Sequence, residues 1–312
     1  MIKRSAVLLG LLTAFAVPVL AQDSAPDEKT EFEKDRAQFS DFDKTIKEWK
    51  ATEGFFRLYR KEKEERLLAA IPKDLLDQPF FLATSVAGGS DYAGWQWQDK
   101  LVRFERFNKK LLLVELNTRQ RAAKDKPVAS VVRRTFADRH LAALDIKAIG
   151  PKGEVLIDLG YLLTRQSGIF FGGLFSVNTS LARFAKTTKA FRNNIEASAQ
   201  FPLYGDGTFV TLHYSISRLP KLDSYTPRVA DDRLGYFLTA IRDYTSGDPR
   251  EGRMVRYVNR WQLEKADPDL ALSPPKEPIV FYVEKTVPIA YRHAVHQGIL
   301  EWNAAFEKIG IV

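Results

Sequence analysis

"FVTLHYSIS", Phe209 to Ser217, alternates apolar and polar residues. Successive side chains of an extended strand point to opposite faces, so Val210, Leu212, Tyr214 and Ile216 share one face. Phe209, Thr211, His213 and Ser215 share the other. This period of two marks a strand with one face buried and one wetted. It recurs in "VRYVNRWQL", where Val255, Tyr257, Trp261 and Leu263 alternate with Arg256, Arg260 and Gln262. "NIEASAQF" likewise places Ile195, Ala197, Ala199 and Phe201 together. "PFFLATSV", which runs into a Gly88-Gly89 turn, "LVRFERF", "KLLLVEL", "ASVVRRTF", "LDIKAI" and "GEVLIDL" are further strand candidates. So many short strands with Gly, Asn and Asp breaks predict a mainly β fold, an antiparallel sheet or sandwich, or an open barrel-like sheet. One helical insertion is expected around "TSLARFAKTTKAF".

Upstream, residues 22–50 are charged, with helical character rising through "DFDKTIKEW". Residues 51–90, with strand-like "FFRLYR" and a break at Pro72, form a first unit; residues 91–265 form the β-rich second one. Residues 266–278 carry Pro274, Pro275 and Pro278 and read as a linker. The N-terminus has the order of a signal peptide: Lys3 and Arg4, the apolar run Ala6 to Val17, Pro18, then small residues before Gln22. Residues 1–21 are therefore set apart from the fold, and an exported, periplasmic or extracellular bacterial protein is expected.

The chain has 312 residues, enough for one large domain or two ordinary ones, and no cysteine, which excludes disulfides and thiolate chemistry. After the N-terminus no apolar run is long enough to predict a membrane-spanning helix. Net charge is +8. Stretches such as "KDRAQFSDFDKTIKEWK" mix both signs, which predicts a solvated, mildly basic surface and no nucleic-acid partner.

Residues 279–312 read as a strand, "IVFYVEK", followed by a helix that starts at Pro288. At 100° per residue, Tyr291, Ala294, Val295, Gly298, Ile299, Trp302, Ala305, Phe306 and Ile309 fall within one stripe, expected to pack on a core. Gly298, within that stripe, is expected to let the helix approach a sheet closely. His293 and His296 lie on the opposite face. Their i, i+3 spacing suits a metal, but Leu300 follows where a carboxylate would help and no third ligand is evident. A catalytic zinc needs at least three protein ligands, so the pair is read as polar helix-face histidines. One strand and one helix cannot close a domain, so the chain is expected to continue into a sheet that covers this stripe.

"RLPKLDSYTPRVADDRLGYF", "VNRWQLEKADPD" and "PIVFYVEKTVPIAYRHAVHQGILEWNAAFEKIG" together resemble the large bacterial zinc-dependent metalloproteases of the metzincin-like type. In these, two uncharacterised N-terminal modules precede the peptidase domain. The resemblance implies that residues 51–90 and 91–265 are those modules. It makes residues 279–312 the first strand and helix of an α+β peptidase domain that acts on peptide or protein substrates. It further implies zinc in the complete protein, held by a His-Glu-x-x-His type of motif with the Glu as general base. No His-Glu pair occurs here, and His140, His213, His293 and His296 do not match the motif. No catalytic residue, cofactor-binding residue or metal ligand is therefore assigned, and no zinc is expected in this chain. The alternative is a secreted β-rich module for envelope, carbohydrate or peptide ligands, its surface being Tyr92, Trp95 and Trp97 of "SDYAGWQWQDK". Arg228, Asp231, Asp232 and Arg233 are read as a buried ion-pair cluster or, in the second place, as the source of an Asp that reaches the zinc.

Exported material is expected to begin at Gln22. N-terminal sequencing that returns an intact Met1 contradicts the signal-peptide reading.

Overall fold

The computed structural model describes residues 30–61, 63–173, 175–184, 188–205, 207–220, 225–245 and 252–312. The signal-peptide reading and the first residues of the charged segment lie outside them. Two short helices open the described chain, α1 (Glu31–Arg36) and α2 (Phe42–Ile46). The Thr30 hydroxyl accepts from Glu33 N while the Glu33 carboxylate accepts from Thr30 N, a reciprocal cap that satisfies two otherwise free donors. Asp41 caps α2 through Lys44 N.

The strands follow in order: β1 (Lys50–Thr52), β2 (Arg57–Lys61), β3 (Arg66–Ile71), β4 (Phe80–Gly88), β5 (Gln96–Phe107), β6 (Lys110–Glu115), β7 (Gln120–Arg121), β8 (Arg139–Asp145), β9 (Ala148–Ile149), β10 (Val155–Asp158), β11 (Arg183–Phe184), β12 (Lys189–Ala190), β13 (Asn194–Pro202), β14 (Phe209–Arg218), β15 (Leu238–Asp243) and β16 (Arg253–Val258). They form a five-stranded sheet, β1-β2-β3-β10-β9, and an eight-stranded one that includes β11-β13-β14-β4-β5-β6-β8, with β12 beside β13. A small third sheet orders β16-β15-β7. All pairs but β15 with β7 are antiparallel, and the large sheet curls into a half-barrel. The fold is thus mainly β with a helical N-terminal segment, as the alternation predicts.

The main core lies between the two larger sheets. Leu67, Ala69 and Ile157 of the first, with Phe56 just before β2, share one cluster with Phe80, Leu82, Phe104, Leu212 and Tyr214 of the second. Phe56 packs edge-on against Phe80 at 5.8 Å between ring centroids, and Phe80 lies 5.2 Å from Phe104. The other face of the five-stranded sheet is covered by α2: Phe42 joins Tyr59, Leu68, Ala70, Ala148 and Leu156 in a second cluster. Strand β3, "RLLAAI", is buried on both faces and so shows no alternation.

Helices α4 (Leu159–Arg165) and α5 (Gly168–Phe171) close the core. Asp158 caps α4 by accepting from Tyr161 N at 2.8 Å. The Tyr214 hydroxyl donates to the Leu163 carbonyl at 2.8 Å, and its ring meets Phe170 at 5.1 Å. Full burial pushes the Tyr214 phenol well above its ordinary pKa, so it stays a neutral donor. Gly89, at φ +82°, ends β4 where a Cβ would fall 1.8 Å from the Phe209 carbonyl oxygen, which only glycine permits.

Several local expectations are corrected. "ASVVRRTF" is mostly helix α3 (Val128–Thr135): Pro127 precedes it, and Ala129 and Val132, three apart, are its buried residues. The helical insertion lies at α4 and α5. "TSLARFAKTTKAF" carries instead the short 3-10 turn Thr179–Leu181 and the edge strands β11 and β12. "VRYVNRWQL" is strand only to Val258. "IVFYVEK" forms no strand and pairs with no described strand. The closing helix is α6 (Ile289–Leu300) with a separate turn α7 (Asn303–Glu307), and neither buries a residue. A Cβ at Gly298 would meet nothing within 4 Å, so no sheet approaches it among the described residues.

Tyr214→Phe removes the donor to the Leu163 carbonyl and leaves a buried acceptor unpaired. The expected loss is about 1–3 kcal/mol, read from the urea midpoint. An unchanged midpoint would show that this bond does not anchor α4.

Candidate functional site

Among the described residues, every buried apolar side chain except Ile311 comes from between Phe42 and Ile216. Beyond residue 225 the chain places large apolar side chains in water instead. Phe237, Trp261, Phe281, Tyr282, Ile289 and Trp302 are all exposed, Tyr282 at 91%. Isolated exposed hydrophobes are ordinary; a contiguous set marks an interaction surface. Half of this set, Trp261, Phe281 and Trp302, comes together in one place. A groove of about 400 Å3 is lined by Trp261, Ile279, Phe281, Gly298, Trp302 and Phe306 among others. Ile279 and Phe281 of the segment before Pro288, with Trp261, form one wall, and α6 and α7 the other. No described residue accepts from the backbone N–H groups of Ile279 to Val283. Backbone donors and apolar side chains are thus left together in water, where folded chains ordinarily pair the first and bury the second.

His293 and His296 project from α6, both exposed. Among the described residues no three His, Asp or Glu side chains are grouped to hold a metal ion. His293 and His296 thus have no third such ligand grouped with them among the described residues. Tyr92 and Trp95 sit at the tip of the β4–β5 hairpin, 5.5 Å apart and edge-to-face, with Tyr92 also 6.2 Å from Phe175. Both are exposed. Trp97 is half-buried, its indole N–H donating to the Phe171 carbonyl at 3.0 Å, so it anchors the hairpin. Asp231 and Arg233 do pair, but at the surface; Arg228 and Asp232 are exposed too, so no buried cluster forms.

A side-chain cluster on the outer face of β13 and β14 went unread in the sequence. His213 lies between Glu196 and Ser198, its Nε2 2.6 Å from Glu196 Oε2 and its Nδ1 2.9 Å from Ser198 Oγ. Glu196 Oε1 accepts from Ser215 Oγ at 2.8 Å and Asn194 Nδ2 at 2.6 Å. The alternation that put His213 and Ser215 on one face was the available signal; the partner strand was not. Ser198 is buried and the strand backbone around it is engaged in pairing. The cluster therefore ties two strands together with satisfied polar groups.

A family model for a domain of unknown function, DUF5117, matches residues 94–266, more than half of the chain. The chain belongs to the DUF5117 family. The DUF5117 match starts just before β5 and ends past β16. Its strands do not stand alone: β10 pairs with β3, and β5 and β14 both pair with β4, all supplied from before residue 94. No curated protein and no solved structure matches the chain. Among the described residues no helix is long and apolar enough to cross a membrane.

Titration of this DUF5117 chain with zinc is expected to show no tight stoichiometric binding, and His293→Ala to leave the isotherm unchanged. A tight signal abolished by that substitution would place a metal on α6.

Proposed function

We propose that this chain is the N-terminal, non-catalytic part of an exported zinc-dependent metalloendopeptidase. The observation that carries the reading is the uncovered surface of residues 279–309. An apolar segment with unpaired backbone donors runs into α6 and α7, around which Tyr291, Val295 and Trp302 face water. A following peptidase domain would supply the sheet that pairs the one and covers the other. The resemblance of residues 218–309 to metzincin-like metalloproteases supports the same order of parts. On this reading zinc and its ligands belong to the continuation, substrates are peptides or proteins, and the DUF5117 region is structural or regulatory. A second reading, a secreted binding module, is favoured by one observation only, the exposed Tyr92–Trp95 pair.

Hydrolysing a peptide at neutral pH needs an activated water, which zinc supplies by lowering its pKa to about 7. The complete gene product is expected to digest casein and to lose that activity to a chelator, while residues 22–312 alone digest nothing. Chelator-insensitive cleavage by residues 22–312, or a gene that stops at codon 312, would overturn the reading.

A further inference from the structure

The basic excess of this chain is not spread evenly. Between Glu115 and His140 the sequence holds seven Lys or Arg against three Asp or Glu. Folding draws part of this stretch around one cavity of about 370 Å3, lined by Glu115, Asn117, Thr118, Arg119, Phe136 and Arg139 among others. That volume falls within the roughly 300–1,000 Å3 of small-molecule sites.

Its walls are preorganised. Asn117 Nδ2 donates to the carbonyls of Gln120 and Phe136, both at 3.1 Å, and Asn117 Oδ1 accepts from Arg119 N at 3.1 Å. The Arg119 carbonyl accepts from Arg242 N at 2.8 Å. The Arg119 backbone is therefore held from both sides, and its side chain starts from a fixed point. The one carboxylate in the wall is already neutralised: Glu115 pairs with Arg139 and lies 3.6 Å from the buried Lys100 ammonium. Asp138, close by in sequence, is taken by Arg103 at 2.8 Å and Asn117 N at 2.9 Å. By contrast, the Arg119 guanidinium has no hydrogen-bond or ion-pair partner among the described residues. The Thr118 hydroxyl and the Gln120 side-chain amide, also in the wall, have none either.

Side chains without a partner thus line a cavity whose charges sum to positive, with Phe136 in its wall. We propose that this cavity binds the oxyanion group, carboxylate or phosphate, of a small ligand. Arg119 supplies the fork that planar oxyanions match in bidentate fashion, and Arg139 adds positive charge beside it. The site stands apart from the C-terminal groove and does not depend on the peptidase reading.

The test is isothermal titration of purified residues 22–312 with inorganic phosphate, with N-acetyl-Ala-Ala and, as the neutral counterpart, with N-acetyl-Ala-Ala amide. Saturable binding of at least one anion and none of the amide is expected. Phosphate alone would assign a phosphorylated ligand; the free-acid dipeptide would assign a peptide C-terminus. Arg119→Ala should weaken binding about tenfold or more, and Arg119→Lys, which keeps the charge without the fork, by less. Arg233→Ala, at an exposed pair elsewhere, should change nothing. Circular dichroism checks that each variant is folded. No saturable binding of either anion, or binding that a folded Arg119→Ala leaves intact, would overturn the proposal.

Discussion

The pairing of β14 with a strand on each side is the constraint on which the rest of the fold depends. It runs unbroken from Asn194 opposite Ser217 to Pro202 opposite Phe209 on one side; on the other it runs from Leu212 to Arg218 against β4, with a register shift between Thr211 and Leu212. The side-chain period of a strand is two, so a one-residue slip would turn Leu212 and Tyr214 out to water and His213 into the core. Tyr214 then could not reach the Leu163 carbonyl, and α4 and α5 would lose the partner that seats them. The outer face is fixed by the same register, since only in it do Glu196, Ser198 and His213 meet.

Nothing comparable holds residues 225–312. Their sheet rests on the β15–β16 hairpin and on two residues of β7, pinned by Arg121 bonded to Asp243 at 2.7 Å. Fully burying one Phe, Leu or Ile contributes about 1.5–3 kcal/mol. Leaving Phe237, Phe281, Trp302 and their neighbours in water forgoes that contribution many times over. Phe281 and Trp302, with Trp261, line one groove rather than scatter. This asymmetry between two parts of one chain is what gives the C-terminal region its functional weight.

Strands with one wet face were legible because burial writes an alternation into the sequence; β13 and β14 are examples. Legibility failed where burial writes something else. Strand β3 is covered on both faces, by the main core and by Phe42, and its run of Leu and Ala carries no period. Helix α3 does carry helical spacing, with Ala129 and Val132 buried, but its adjacent valines imitate a strand. "IVFYVEK" has the composition of a strand, but strand pairing is made by a neighbour, and no described neighbour is present. The stripe expected along one closing helix is divided, since α6 ends at Leu300 and Trp302, Ala305 and Phe306 fall in or beside α7, and neither helix buries a residue. The cavity beside Arg119 was invisible for a related reason. It is made by Asn117 tying residues 117–120 to Phe136, a link across the length of α3 that no local spacing reveals.

The family boundary and the folding boundary also differ, and the difference has a physical consequence. The DUF5117 match begins at residue 94, yet β4 is the strand that joins β14 to β5. Without residues 80–88 the large sheet would split into two halves, each with a long bare edge. Without β3, strand β10 would keep only the two-residue β9 beside it. Bare edges of alternating apolar strands are templates for aggregation, and natural sheets cover them. The segment before the matched region is therefore part of the same folding unit: it supplies the middle of one sheet and most of the other. A family defined by residues 94–266 should be expected to travel with such a partner segment wherever it folds.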